Sequence, residues 1–195
     1  VDYRFGQGND DAKDLIGFHQ DNTRINNLLS QKKLAEAQLL CEEMLHQRPN
    51  FVDGHLQLAK IMKSKGDFYA AVQHLQEALK LNPEHVKARN SLGIALAEQG
   101  KHSEAIAQFE KALELQPQYA EAHYNMAVVL SSQSRLDDAI HHYLQASTLK
   151  PGYTKAHVNL AVVLQGLGRF EEAIRHYQKA LKSKPNAIFI REKLA

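Results

Sequence analysis

Apolar side chains recur along this chain at spacings of three and four residues, in blocks separated by short polar segments. In one stretch, Leu92 and Leu96 belong to one such block, and Ala105, Phe109 and Ala112 form the next. Steps of three or four residues bring side chains onto one face of an α-helix. The pattern therefore predicts two amphipathic helices joined by a turn.

The two-helix pattern recurs at a fixed period of 34 residues. The five prolines all obey this period: Pro49, Pro83, Pro117, Pro151 and Pro185. Proline ends a helix because it lacks an N–H donor and disfavours helical backbone before it. A period of this length is typical of a repeat architecture. Within each repeat we number positions from 1 to 34, so that proline occupies position 32 and the first repeat begins at Phe18.

The repeats agree at the positions where the two helices of a pair would meet. Position 20 is alanine in every repeat: Ala37, Ala71, Ala105, Ala139 and Ala173. Position 8 is small in the last four: Ala59, Gly93, Ala127 and Ala161. The turn at position 15 holds Gly66, Gly100 and Gly168, with Lys32 and Ser134 in the other two repeats. Glycine suits a helix end because it tolerates positive φ, so each repeat is predicted to be an antiparallel helix pair in an all-α fold.

Composition excludes several classes of protein. The 195 residues are 44% hydrophobic and 24% charged, which is typical of a globular chain. A formal net charge of +2 gives no electrostatic footprint for nucleic acid. Cys41 is the single cysteine, so neither an intramolecular disulfide nor a four-cysteine zinc site can form. No apolar run reaches the ~20 residues of a membrane-spanning helix. We therefore expect no nucleic-acid or membrane partner, no cofactor and no metal.

The repeat resembles the tetratricopeptide repeat (TPR) family, in segments such as ARNSLGIAL…EAIAQFEKALELQP and AHVNLAVVL…EAIRHYQKALKSKP. The resemblance covers residues 18–187 and implies a right-handed α-solenoid of antiparallel helix pairs. The usual tryptophan at position 4 is replaced by Asp21, His55, Arg89, His123 and His157. Among relatives, the AHYN and AHVN openings are most similar to the superhelical arrays attached to O-linked N-acetylglucosamine transferases.

The period divides the chain into an N-terminal linker and helix start, five repeats, and a partial repeat or capping helix. The boundaries are 1–17, 18–51, 52–85, 86–119, 120–153, 154–187 and 188–195. Repeat one is interpreted as an atypical cap, because Arg24 and Ile25 occupy positions that hold Leu and Gly or Ala elsewhere. The start at Val1 and the unfinished sixth repeat indicate a piece of a longer protein. The lack of a signal peptide favours a cytoplasmic location over secretion.

In the TPR family the first helix of each repeat lines a concave groove, so the resemblance implies a binding surface there. The candidate peptide-binding residues are Leu56, Gln57, Lys60, Asn90, Ile94, Tyr124, Asn125, Val128, Lys155, Val158, Asn159 and Val162. Asn125 and Asn159 share position 6, where transferase-like arrays use asparagine to hold a peptide backbone. Ile94, Val128 and Val162 share position 9 and predict an apolar stripe. The alternatives are solvated amides on an open face and apolar residues buried against the next repeat.

One TPR subclass, which binds chaperone C-termini through a carboxylate clamp, is not predicted. Asn125 and Lys155 match two slots of that clamp in the last three repeats, but the remaining slots hold Asn90, Ile94 and Asn159.

Other chemistry is sparse. His74, His142 and His176 share position 23 and are interpreted as surface residues rather than as an interacting column, and His55, His123 and His157 as packing residues. Cys41 is expected to be a buried, inert thiol. The chain has no HExxH motif, glycine-rich phosphate loop or nucleophile elbow, so we expect no catalysis. Residues 154–195 carry eight Lys/Arg against three Asp/Glu, which suits either an acidic partner or an ordinary solvated surface.

The leading interpretation is a non-catalytic protein–protein interaction scaffold that binds a peptide or helix of a partner in its groove. The alternative is a TPR appendage of a larger transferase- or sulfatase-type enzyme, which recruits substrate or mediates self-association. Homo-oligomerisation through the ends of the array is a third hypothesis.

Overall fold

The computed structural model describes residues 12–193 of the chain, and their side chains from residue 21 onwards. This part of the chain is built of helices and short turns and divides into two compact units, the first ending at Leu81 and the second beginning at Asn82. The first unit contains α1 (Ala12–Ser30), α2 (Leu34–Gln47), α3 (Val52–Lys65) and α4 (Phe68–Leu81). The second contains α5 (Val86–Glu98), α6 (His102–Leu115), α7 (Ala120–Ser132), α8 (Leu136–Leu149), α9 (Thr154–Gly166), α10 (Phe170–Ser183) and α11 (Ile188–Glu192).

Consecutive helices pack as pairs, α1 with α2 and α3 with α4 in the first unit. In the second unit the pairs are α5 with α6, α7 with α8, and α9 with α10, and the first helices α5, α7 and α9 also touch one another in sequence. The prediction of an all-α solenoid of antiparallel helix pairs is confirmed. None of the helices in residues 12–193 combines the length and the apolar character needed to cross a membrane.

The core of each pair combines small residues with the side chain at position 24. The position-20 alanines are at most 2% exposed. The residues at position 24 are equally buried: Cys41, Leu75, Phe109, Tyr143 and Tyr177. Gly93 shows how close the helices come, since a Cβ built there would lie 2.5 Å from Cε1 of Phe109. Opposite a residue as large as Phe109, a larger side chain at position 8 would push the helices apart, and small residues recur at this position in repeats two to five.

The turn inside each pair closes in the same way in all five repeats. Gly66, Gly100 and Gly168 adopt φ of 79°, 76° and 74°, and Lys32 and Ser134 adopt φ of 59°. The residue after each of them donates its N–H to the carbonyl of position 11, as Lys101 does to Leu96 at 2.9 Å. This is the hydrogen bond that characterises a left-handed helix end. The predicted turn position is therefore confirmed, including the two repeats that lack glycine.

A second recurrent contact joins each repeat to the one that follows it. The carbonyl oxygen of each proline accepts a hydrogen bond from the side chain at position 4 of the next repeat. The pairs are Pro49 with His55, Pro83 with Arg89, Pro117 with His123, Pro151 with His157, and Pro185 with Arg191. In repeats two to five and in α11, position 4 therefore holds a histidine or an arginine that donates a hydrogen bond, in place of the usual tryptophan.

The two ends of the array differ from its middle. α1 begins at Ala12, so it runs continuously across the expected boundary between residues 17 and 18. Ile25 is fully buried in the first pair, whereas Arg24 is exposed. At the other end, Ile190 of α11 is fully buried. The remaining positions of the partial repeat, 194 and 195, and the linker residues 1–11 lie outside the described residues.

We predict that Gly93→Ala destabilises the protein by about 1–3 kcal/mol, because the added methyl group would overlap the fully buried ring of Phe109. Helix propensity alone would give the opposite sign, since alanine is favoured over glycine in a helix by roughly 1 kcal/mol. Urea unfolding, followed by circular dichroism, measures the change in the free energy of unfolding.

The matched control is Gly166→Ala, in the last turn of α9, where a Cβ would meet nothing within 4 Å. It should leave the protein unchanged or stabilise it by up to about 1 kcal/mol. If both variants are stabilised, the small residue at position 8 is not required for the close approach of the helices.

Candidate functional site

The candidate groove residues of the second unit lie on its first helices, α5, α7 and α9. Nine of the twelve predicted residues belong to this unit: Asn90, Ile94, Tyr124, Asn125, Val128, Lys155, Val158, Asn159 and Val162. Hydrogen bonds between successive first helices place positions 5 and 6 of neighbouring repeats side by side. The structure thus brings the asparagines and tyrosines of the candidate site together.

The first of these contacts joins two asparagines. Nδ2 of Asn125 donates to Oδ1 of Asn90 at 3.0 Å, from α7 to α5. Asn90 is only 6% exposed, and its amide also bonds the hydroxyl of Tyr119. Asn90 is therefore the buried member of the pair and orients the amide of Asn125, which is only half-buried. Burial of Tyr119 raises the pKa of its hydroxyl, which keeps the phenol protonated.

The second contact links α9 to α7 and α8. Nδ2 of Asn159 lies 3.3 Å from the hydroxyl of Tyr124 and 3.5 Å from that of Tyr143, so its amide protons are directed to the two phenols. Burial raises the pKa of Tyr143 to about 12. The amide carbonyl of Asn159 remains as an acceptor. Both position-6 asparagines are consequently oriented by the preceding repeat.

Aromatic residues at position 34 complete this cluster and were not among the predicted site residues. The ring of Tyr153 lies 5.0 Å from that of Tyr124, and Nζ of Lys150 lies 5.0 Å from the Tyr153 ring. Lys150 also pairs with Glu121 at 2.9 Å. The recurrence of an aromatic residue just before the first helix, as Tyr119 and Tyr153, was the available signal.

The apolar stripe is partly open to solvent. Val128 is 38% exposed and Val162 is 50% exposed, whereas Ile94 and Val158 are half-buried. Lys155 is exposed at the start of α9. The face thus presents two exposed valines next to two oriented amides.

In the first unit, the three remaining candidates lie on α3. Leu56 and Gln57 are half-buried. Lys60 is exposed, and its Nζ donates to Oδ1 of Asn26 on α1 at 3.3 Å. The side-chain amide oxygen of Gln57, Oε1, is buried and has no hydrogen-bond partner among the described residues.

Histidines form pairs that sequence reasoning missed. In three repeats the ring at position 4 faces the ring at position 23, with Nδ1 atoms 3.2 Å apart in His55–His74, 2.9 Å in His123–His142 and 3.1 Å in His157–His176. The position-23 histidines are half-buried. They are therefore not independent surface residues, as the sequence indicated, but tie the second helix of each pair to the first.

The hydrogen bond to the proline carbonyl determines which ring nitrogen of the position-4 histidine carries the proton. A carbonyl oxygen only accepts, so Nε2 of His123 carries the proton that it donates to Pro117 at 3.1 Å. Nδ1 of neutral His123 is then an acceptor, and Nδ1 of His142 must carry a proton. Burial, followed by the nearby charge of the partner ring, lowers the pKa of His142 to about 4 and that of His176 to about 4. Burial lowers the pKa of His123 and His157 as well, so the His123–His142 and His157–His176 pairs are neutral near pH 7.

The remaining chemical features are the single cysteine and the arrangement of possible metal ligands. Cys41 is fully buried, and burial raises the pKa of its thiol to about 12, so the expectation of a buried cysteine is confirmed. Among residues 21–193, no group of three or more His, Cys, Asp or Glu side chains is arranged to hold a metal ion.

Five consecutive helix pairs, each closed by the same turn and each followed by the same proline contact, define an α-helical repeat protein. Tetratricopeptide repeat profiles match residues 56–120, 91–154 and 154–187. The chain belongs to the tetratricopeptide repeat family, and this membership supports a role in protein–protein interaction. No curated protein matches the sequence.

Solved structures of TPR proteins share this fold. The protein in a crystal structure of MamA is 25% identical in sequence. The matched region covers 83% of this chain and 94% of the MamA chain, with a TM-score of 0.72. YrrB, described as a TPR protein with an unusual peptide-binding site, is 20% identical, with 86% and 87% covered and a TM-score of 0.66. PilF of Pseudomonas aeruginosa is 17% identical, with 85% and 75% covered and a TM-score of 0.78. At the lower identities the likeness shows the fold alone.

We predict that the protein becomes less stable as the pH falls from about 6.5 to about 4. The unfolded histidines titrate near 6.5, whereas His142 and His176 in the folded protein titrate near 4. The unfolded state therefore binds more protons in this interval, and the free energy of unfolding decreases as the pH falls. Because the rings are half exposed, solvent screening limits the loss to about 1–2 kcal/mol for each pair. Urea unfolding at a series of pH values measures it.

The matched variant is His123→Arg with His142→Gln, which copies Arg89 and Gln108, the residues at these positions in repeat three. The arginine can still donate to Pro117, as Arg89 does to Pro83 at 2.5 Å. The pH-dependent loss should shrink by the share of one pair. An unchanged pH profile in this variant would show that the His123–His142 pair does not contribute.

Proposed function

We propose that the chain is a non-catalytic scaffold whose first helices bind an extended segment of a partner protein. The observation that carries the proposal is the face formed by α5, α7 and α9, where the amides of Asn125 and Asn159 adjoin the exposed side chains of Val128 and Val162. Membership of the TPR family supports the same role. Leu56, Gln57 and Lys60 contribute the corresponding surface of the first unit.

The amides have hydrogen-bonding capacity left for a peptide backbone. Asn125 uses one amide proton on Asn90 and retains its second proton and its carbonyl oxygen. Asn159 directs its protons to the two tyrosine hydroxyls and retains its carbonyl oxygen. An extended segment offers both N–H and C=O groups along its length, so it can be held without reading its side chains.

The apolar positions would supply the hydrophobic part of the interaction. Val128 and Val162 share position 9, and the two half-buried residues Ile94 and Val158 flank them in the repeat pattern. Apolar area removed from water contributes roughly 25 cal/mol per Å². The partner segment should therefore carry apolar side chains, with few charges, opposite these positions.

The orientation of both amides by the preceding repeat favours this function over a passive polar surface. Side chains that are already ordered lose less conformational entropy when a ligand binds. The cluster of Tyr124, Tyr143 and Tyr153 holds the local geometry through ring contacts of 5.0 and 6.0 Å.

The test is selection of peptides from a random display library on the full chain, followed by affinity measurements with the selected peptide. Val128→Ser with Val162→Ser should weaken binding by about tenfold, since each valine loses apolar contact with the ligand. Stability should change by less than about 1 kcal/mol, because both side chains are substantially exposed.

Asn125→Ala with Asn159→Ala should also weaken binding by about tenfold, and should cost about 1–2 kcal/mol of stability through the lost internal hydrogen bonds. The control is Gln145→Ala with Gln178→Ala, which removes two exposed amides from the second helices α8 and α10. Selected peptides whose affinity is equal for the wild type and for both groove variants would contradict the proposal.

A further inference from the structure

A cleft of about 470 Å³ lies on the side of the second helices, between α8, α9 and α10 of the second unit. The polar side chains that line it are Ser147, Thr148, His157, His176, Lys179, Lys182 and Ser183. His157 and His176, joined through their Nδ1 atoms, form one wall. None of its lining residues is an aspartate or a glutamate. The cleft shares no residue with the groove of the first helices.

The positive charges of the cleft are not neutralised within the described part of the chain. Lys179 and Lys182 are exposed at the cleft and form no ion pair with the described residues. Glu172, the carboxylate on α10 that acts on His176, is bound by Arg169 at 2.6 and 2.8 Å. Arg175 adds a further positive charge near His176. The cleft is therefore a local centre of positive potential.

The preceding repeat shows that the fold does not require this chemistry. It has the same histidine pair, His123–His142, in the same place. The positions equivalent to Leu144, Ser147, Thr148, Lys179, Lys182 and Ser183 hold Glu110, Leu113, Glu114, Gln145, Thr148 and Leu149. Two lysines and two small hydroxyl residues thus replace neutral residues, and two glutamates are absent. The basic, hydroxyl-lined cleft belongs to the junction of the last two complete repeats and not to the repeat pattern.

We propose that this cleft binds a phosphorylated serine or threonine side chain of a partner protein. Two ammonium groups match the charge of a phosphate monoester, which is about −1.5 to −2 at pH 7. The hydroxyls of Thr148 and Ser183 supply further donors for the phosphate oxygens. The volume lies within the range of ligand pockets, so residues that flank the phosphorylated side chain can also enter.

The composition of the lining favours phosphate over a carboxylate. A carboxylate carries a single negative charge, whereas a phosphate monoester carries about −1.5 to −2 at pH 7 and so matches the two lysines that line the cleft better. Lysine acts as a point charge with rotatable donors, which suits the several oxygens of a tetrahedral group. Ser147 is the one hydroxyl already committed, since its Oγ donates to the carbonyl of Leu144 at 3.0 Å.

The test uses three end-blocked pentapeptides, with phosphoserine, serine or glutamate between alanines, titrated into the full chain at neutral pH and low ionic strength. Amide chemical shifts in NMR spectra give both the affinity and the location. The phosphoserine peptide should bind at least about tenfold more tightly than the other two, and should shift the amides of Thr148, Lys179 and Lys182. Lys179→Gln with Lys182→Gln should weaken it at least about tenfold.

The control is Lys101→Gln with Lys111→Gln, which makes the same change in net charge and alters position 26 in repeat three, the position of Lys179. This control should bind within about twofold of the wild type. Equal weakening in both double variants would show unspecific attraction and overturn the proposal. Equal affinity for the glutamate peptide, or shifts confined to Asn125 and Asn159, would overturn it as well, whereas the groove function would be unaffected by any of these outcomes.

Discussion

The close approach of two helices within each repeat is the constraint on which the rest of this structure depends. In repeat three, the small residue at position 8 faces the large residue at position 24, and the distance between a Cβ built on Gly93 and the ring of Phe109 shows that no space is left between them. The fixed separation of the helices brings position 4 within hydrogen-bond distance of position 23. It also aligns successive first helices, so that Asn125 reaches Asn90. Packing of apolar residues thus sets the geometry of the polar sites.

The fold could be predicted because burial imposes a period on the sequence. The prolines, the position-20 alanines and the glycine turns each recur at 34 residues, and a solvent-excluded position tolerates few residue types. The polar contacts could not be predicted in the same way. His123 and His142 lie 19 residues apart, and Asn125 and Asn90 lie 35 apart, so their encounter depends on rotamers and helix separation. The sequence shows where these residues lie in the repeat, but not which side chains they contact.

The two sides of the second unit differ in chemistry although they derive from the same repeat. The first helices present valines and amides, which suit the backbone and apolar side chains of a partner. The second helices α8 and α10 present lysines and hydroxyls where the last two complete repeats meet, beside a histidine pair of a kind that also occurs in the preceding repeat. Divergence is confined to positions that the core does not constrain. A repeat protein can therefore acquire a new surface in one part of the array while the packing of the neighbouring repeats is preserved.

The bond from position 4 back to the proline carbonyl has an evolutionary consequence. It spans six residues at every junction, from Pro49 to His55 through Pro185 to Arg191. A one-residue insertion in the helical part of that segment would move the position-4 side chain by about 100° around the axis of its own helix and break the bond. Insertions and deletions at these junctions should be tolerated only as whole repeats, so the array is expected to grow by duplication of complete modules.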